Sequence, residues 1–143
     1  MMRFIAPILA AALALGGTAM PLAAQDDAPP RGTRAERNEA RLAQRLEGRT
    51  AGEMVSCVYA PNSNRLETIE GVGFVYDGGN TLYVARPRDP SVLGPNDIVL
   101  VRRYGGGQLC RQDLMQTVDR LSGMLSGIVA IDGFVPYTKP GDS

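Results

Sequence analysis

The sequence contains no histidine and no tryptophan, and Lys139 is its only lysine. The missing imidazole removes the commonest general base and metal ligand. Two cysteines without a histidine do not make the usual zinc ligand set, so neither a metal nor a cofactor is expected. A Ser–Lys dyad would depend on Lys139, beside Pro140 near the end of the chain. Aromatic residues make up 6% of the chain, too few for a base-stacking surface. Its 15 basic residues balance 15 acidic ones, so no global field draws in nucleic acid. The glycine clusters are not phosphate cradles. Gly71-x-Gly73 lacks a third glycine, and Gly105 to Gly107 runs into Gln108-Leu109-Cys110 rather than Lys-Ser/Thr. They read as turns and close packing.

The start of the chain has its own texture. Arg3 supplies one positive charge, Phe4 to Leu15 is uncharged and mostly apolar, and Gly16-Gly17 breaks the run. Leu22-Ala23-Ala24 then precedes Gln25-Asp26-Asp27. Charge, apolar stretch, helix breaker and small residues in that order form a secretory signal peptide over residues 1–24, cleaved after Ala24, with Gly17-Thr18-Ala19 as a second site. A retained anchor would need about 20 predominantly apolar residues, and Pro7, the glycine pair and Pro21 interrupt this stretch. Without its first 24 residues the chain keeps 119, one domain with a modest core, and a net charge of −1, since Arg3 is the only charge removed. The mature form is expected to be periplasmic or secreted, with no stable membrane span.

Both cysteines, Cys57 and Cys110, lie in the mature part. In an oxidising compartment the default is that they pair. Closing a loop of about 54 residues stabilises by ~4 kcal/mol in the chain-entropy picture. A pair of buried free thiols is the other reading. No Cys-x-x-Cys spacing is present to lower a thiol pKa for redox work.

Along the mature chain, residues 25–33 read as a mobile leader. Thr33-Arg34-Ala35-Glu36 matches a capping box, and good helix formers continue to Glu47, with Gly48 as the stop; a helix is expected over 34–47. From Met54 the residues become β-branched. Strands are expected at 54–60, across 66–77 with Val72, Phe74 and Tyr76 on one alternation, at 81–86, at 97–104 and at 126–131. The segment 113–120 reads equally as strand or short helix. Asp77-Gly78-Gly79-Asn80 is a hairpin turn, and Pro87 to Asn96, with three prolines, is a loop. The apolar run Ile98 to Val101 predicts a strand buried on both faces. Phe134 to Tyr137 reads as an extended tail, and residues 139–143 close the chain. The expected fold is mainly β: a small antiparallel sandwich or partly open barrel of about six strands within 54–138, preceded by one N-terminal helix.

Arg34, Arg37, Arg41, Arg45 and Arg49 fall within an arc of about 120° of the helix. No acid within 34–47 stands three or four places from any of them, and each neighbouring Arg–Arg pair costs ~0.2–0.5 kcal/mol. Charges segregated in this way meet an anionic partner, form a solvated face, or lie on acids of the β body, such as Asp113 or Asp119. The anionic partner would be a lipid headgroup, an acidic polysaccharide or an acidic protein. The Arg-flanked, proline-rich stretch Arg86 to Pro95 is a further candidate surface.

Gly48-Arg-Thr-Ala-Gly52 before the Cys57 strand, Thr81-Leu-Tyr-Val-Ala-Arg-Pro-Arg88, Leu109-Cys110 and Phe134-Val-Pro-Tyr-Thr-Lys139 together give the chain a family likeness. Over roughly residues 45–140 it resembles small exported proteobacterial proteins of unknown function. The resemblance implies that Cys57 and Cys110 belong to the family's pattern, and it transfers no catalytic residue.

The functional expectation is therefore an exported, non-enzymatic interaction or envelope-associated domain whose partner is a protein or an anionic envelope component. A small carboxylate-dependent hydrolase is the alternative. It has little to draw on, since Glu67 and Glu70 would face opposite sides of a regular strand. A structural accessory subunit of an envelope assembly is the third reading.

Overall fold

The structure, a computed structural model, describes residues 32–141. The expected signal peptide and nearly all of the expected leader therefore lie outside the described residues. No helix among those described is long and apolar enough to cross a membrane.

Helix α1, Arg34–Leu46, starts as its sequence dictates. The Glu36 backbone N–H donates to the Thr33 hydroxyl at 3.2 Å, and the Thr33 N–H donates to the Glu36 carboxylate at 2.5 Å. Two of the unpaired N–H donors at the start of the helix are thereby satisfied. After Glu47 the chain turns through Gly48 at φ +71°, a left-handed position that glycine takes without a Cβ penalty.

Ten strands follow, in three antiparallel sheets. They are β1 Thr50–Ala51, β2 Cys57–Tyr59, β3 Leu66–Ile69, β4 Gly73–Asp77, β5 Thr81–Ala85, β6 Asp97–Arg102, β7 Gln108–Cys110, β8 Leu114–Asp119, β9 Leu125–Val129 and β10 Val135–Thr138. The largest sheet has the order β1-β10-β5-β4-β3, a second pairs β2 with β7, and the third runs β6-β8-β9. Alternation along β4 and β5 sorts the core into two layers. Phe74, Tyr76 and Ala85 pack with Met115, Val129, Leu109 and Phe134 on one side. Val75, Leu82 and Val84 pack with Val72 and Leu42 on the other. The helix thus covers one face of the five-stranded sheet, and the two smaller sheets cover the opposite face.

Backbone bonds stitch the sheets along one side. The stretch after β1 pairs onto Phe134 through Val55 before entering β2, and Pro87 bridges to Ile131. On the other side, β3 and β6 end their sheets without a ladder between them. Grooves of about 410 and 360 Å³ run along that seam, with Thr68 and Val99 lining both. The result is the expected partly open β architecture with one helix, not a closed barrel.

The element map departs from expectation in several places. Residues 66–77 are two strands with a tight turn at 70–72, so Val72 falls on the helix side while Phe74 and Tyr76 face away from it. Gly71 takes the turn at φ +67°, and Gly73 lets β4 approach β5 closely: a Cβ there would sit 2.3 Å from the Ala85 carbonyl oxygen. Phe134 to Tyr137 is no tail. Most of it forms β10, a strand held between β1 and β5, because its backbone groups find partners on both sides. The segment 113–120 resolves as strand, β8 taking Leu114–Asp119 of it. The loop 86–96 carries a 3₁₀ turn at Pro90–Val92, capped by Asp89, and buries Leu93 in the core at 1% exposure. The apolar run in β6 is also corrected. Only Val99 and Val101 turn inward, while Ile98 and Leu100 stay 40% and 51% exposed.

Candidate functional site

The arginine face of α1 divides. Arg34 pairs with Glu70 at 3.3 Å, and Arg45 pairs with Glu67. Asn38, buried between them, donates to the Glu70 carbonyl at 3.0 Å. Arg49, past the helix end, donates to the carbonyls of Asn80 and Tyr137 at 2.7 and 3.3 Å. Two of the four helix arginines singled out by sequence are thus turned onto the β body. The acids they meet are Glu67 and Glu70, not Asp113 or Asp119. Asp113 is buried in the β7–β8 turn, where its carboxylate accepts from the N–H groups of Tyr104 and Cys110 at 3.2 and 2.8 Å. Asp119 accepts from the N–H and hydroxyl of Ser122 and from the N–H of Leu121, which hold its carboxyl below the usual carboxylate range.

Arg37 and Arg41 remain exposed. Arg37 donates to the Gly32 carbonyl, and Arg41 reaches Asn38 at 3.4 Å. Arg41 and Arg45 line a groove of about 360 Å³ between α1 and β3, with Glu67 and Glu70 opposite. Glu70 sits just beyond the last residue of β3, so strand alternation no longer governs where it points, and both carboxylates serve helix arginines. Among the described residues, no three His, Cys, Asp or Glu side chains converge as metal ligands.

The stretch Arg86 to Pro95 is tied down as well. Arg86 grips Glu39 and Arg88 grips Asp132. Hydrogen bonding from Arg86 lowers the Glu39 pKa, and the same bond raises that of Arg86. Beside them, Met54, Pro87, Val135 and Tyr137 help line a shallow pocket of about 210 Å³.

Cys57 and Cys110 are joined by a disulfide. They face each other in the β2–β7 register. Arg111 N–H to Ser56 O and Ala60 N–H to Gly107 O are the neighbouring ladder bonds, so the cysteines occupy a non-hydrogen-bonded pair, where facing side chains stand closest. Their Cα atoms are 4.0 Å apart.

The largest unpartnered feature is on the layer away from the helix. Ten large apolar side chains are exposed among the described residues, and six of them, Ile98, Leu100, Leu121, Met124, Leu125 and Ile128, belong to the β6-β8-β9 sheet and its β8–β9 turn. The register explains their grouping: Leu100 faces Gln116, Gln116 faces Ile128, Ile98 faces Val118, and Val118 faces Leu125, all on one side of the sheet. Leu121 and Met124 extend the patch past the strand ends at 81% and 70% exposure. Sequence reasoning missed this face. Its signal was present in the apolar residues flanking Ser122-Gly123, where a solvated turn would carry polar ones.

No protein-family model matches the chain, and no curated protein and no solved structure is similar to it.

Proposed function

We propose that the chain is an exported, non-enzymatic interaction domain that works at the cell envelope through the outer face of its β6-β8-β9 sheet. The observation that carries this reading is the apolar face itself. Its six apolar residues are 40% to 81% exposed and share one side of one small sheet and its turn, and grouped apolar exposure of this kind marks an interaction surface, whereas single exposed apolar residues do not. The signal peptide and the disulfide support export. Glu67 and Glu70 are each engaged by an arginine and give the hydrolase reading no free carboxylate pair.

Two measurements test the proposal. Mass spectrometry of the periplasmic fraction should find a mature terminus at Gln25, or at Met20 from the second site; an intact Met1 overturns export. In an exporting host the protein should co-sediment with envelope material, and the double variant Leu100→Asp with Ile128→Asp should move to the soluble fraction while keeping its melting temperature. Unchanged sedimentation of that folded variant overturns the assignment of the face.

A further inference from the structure

We infer that what the β6-β8-β9 face meets is the surface of an anionic phospholipid bilayer. This rests on the proposed role of that face and names its partner.

The composition of the face separates a bilayer from a protein. Protein hot spots are rich in Trp, Tyr and Arg seated in well-packed pockets. Here the exposed anchors are all aliphatic or thioether side chains, with Gln116 the one polar residue amid them on the strands. Such side chains suit a fluid acyl medium, which imposes no fixed complementary shape. The β8–β9 turn adds a wedge: Leu121 and Met124 flank Ser122-Gly123 at the most exposed end of the patch.

Charge points the same way. Arg102 ends β6 on the outward side, and Arg120 opens the β8–β9 turn at the opposite end of the sheet. All five ion pairs of the described residues involve other arginines. Two acids share the Arg120 end: Asp97 accepts from Gly94 N–H and the Ser126 hydroxyl, and Asp119 accepts from Ser122 and Leu121. Strand alternation sets both on the inner side of the sheet with Val99 and Thr117, so Arg102 is the charged strand residue of the outer side. An apolar face with Arg102 at one end and Arg120 just past the other fits acyl chains below a layer of phosphates.

The native absence of tryptophan makes the test local. A Met124→Trp variant reports the turn, and Ala40→Trp, on the exposed side of α1, reports the opposite layer. With vesicles of phosphatidylglycerol and phosphatidylcholine, Met124→Trp emission should shift to the blue and be quenched by bromine on the acyl chains, while Ala40→Trp stays unchanged. Arg102→Gln and Arg120→Gln should each weaken binding about five-fold at low salt, and pure phosphatidylcholine should bind more weakly than the mixture. A Met124→Trp spectrum insensitive to the anionic vesicles overturns the bilayer. So does a blue-shifted spectrum without vesicles at twice the monomer mass by light scattering, which assigns the face to a second copy and leaves the interaction role standing. A vesicle-insensitive Met124→Trp spectrum together with unchanged envelope sedimentation of the Leu100→Asp, Ile128→Asp protein overturns both readings.

Discussion

Arg86, just past β5, holds Glu39 of α1 through both arms of its guanidinium, Nη1 to Oε2 at 2.8 Å and Nη2 to Oε1 at 2.5 Å. The pair joins the helix to the five-stranded sheet in the planar two-point geometry that arginine matches to a carboxylate. Both side chains are about half exposed, so solvent screens the pair and its worth is at most ~1 kcal/mol. The bond lowers the Glu39 pKa in the folded state. A lowered folded value means stabilisation that is complete above the ordinary glutamate range and is lost as pH falls through the folded value. Glu39→Gln should therefore lower the urea midpoint at neutral pH and converge with the parent protein in acid. Asp89 and Asp119 are also lowered, but they are common to both proteins and cancel in the difference. A constant gap across the titration would show that the ion pair does not stabilise the fold.

Docking of the helix rests on one side chain more than on its charges. Leu42 is 2% exposed and packs with Val72, Val75, Leu82 and Val84. Leu42→Ala should cost about 2–5 kcal/mol in chemical denaturation. Arg34→Gln and Arg45→Gln should cost at most ~1 kcal/mol each, while Arg37→Gln and Arg41→Gln should stay within about 0.5 kcal/mol of the parent. A Leu42→Ala protein as stable as the parent would mean that the helix does not add to the core.

The sequence reading succeeded where one local rule decides. Thr33 and Glu36 cap a helix wherever it lies, and Asp77-Gly78-Gly79-Asn80 turns a hairpin regardless of its neighbours. It failed where a partner distant in sequence decides. Whether 134–137 is a tail or a strand depends on the vacant edges of β1 and β5, which no window around Pro136 reveals. The segregated arginines were visible as a stripe, but their acids, Glu67 and Glu70, lie more than 20 positions away. In β6, two-sided apolarity read as two-sided burial, since a buried strand and a strand with an apolar docking face have the same composition. The functional proposal comes from that misreading, because only the folded sheet shows that Ile98 and Leu100 remain uncovered.

The Cys57–Cys110 bridge should rank with Leu42 among the larger single contributors to stability. The β2–β7 sheet has two strands of three residues each, and an isolated two-stranded ribbon is marginal in water. The disulfide ties it at one end and closes a loop of 53 positions. Cys110→Ser should lower stability by about 2–5 kcal/mol, and nonreducing peptide mapping of the exported protein should yield one linked fragment. Two alkylatable thiols in the native exported protein would contradict the bridge.

Thr117 sets up a last prediction. Its side chain is fully buried at 0% exposure, at the register shift between β8 and β9, and its hydroxyl has no hydrogen-bond partner among the described residues. A buried, unmatched hydroxyl costs roughly 1–3 kcal/mol of desolvation. Valine keeps the β-branched shape and replaces the hydroxyl with a methyl group. Thr117→Val should therefore stabilise the protein by ~1 kcal/mol, a rise of about 4 °C in a domain of this size. Thr117→Ser, which keeps the hydroxyl and deletes a buried methyl, should do the reverse by ~1 kcal/mol. Gly127 opposite supplies the control. A Cβ there would come within 2.9 Å of the Thr117 hydroxyl and 3.4 Å of the Val92 Cβ, so Gly127→Ala should destabilise the protein in either background. If Thr117→Val melts lower than the parent, the hydroxyl has a hydrogen-bond partner in solution and its burial carries no penalty.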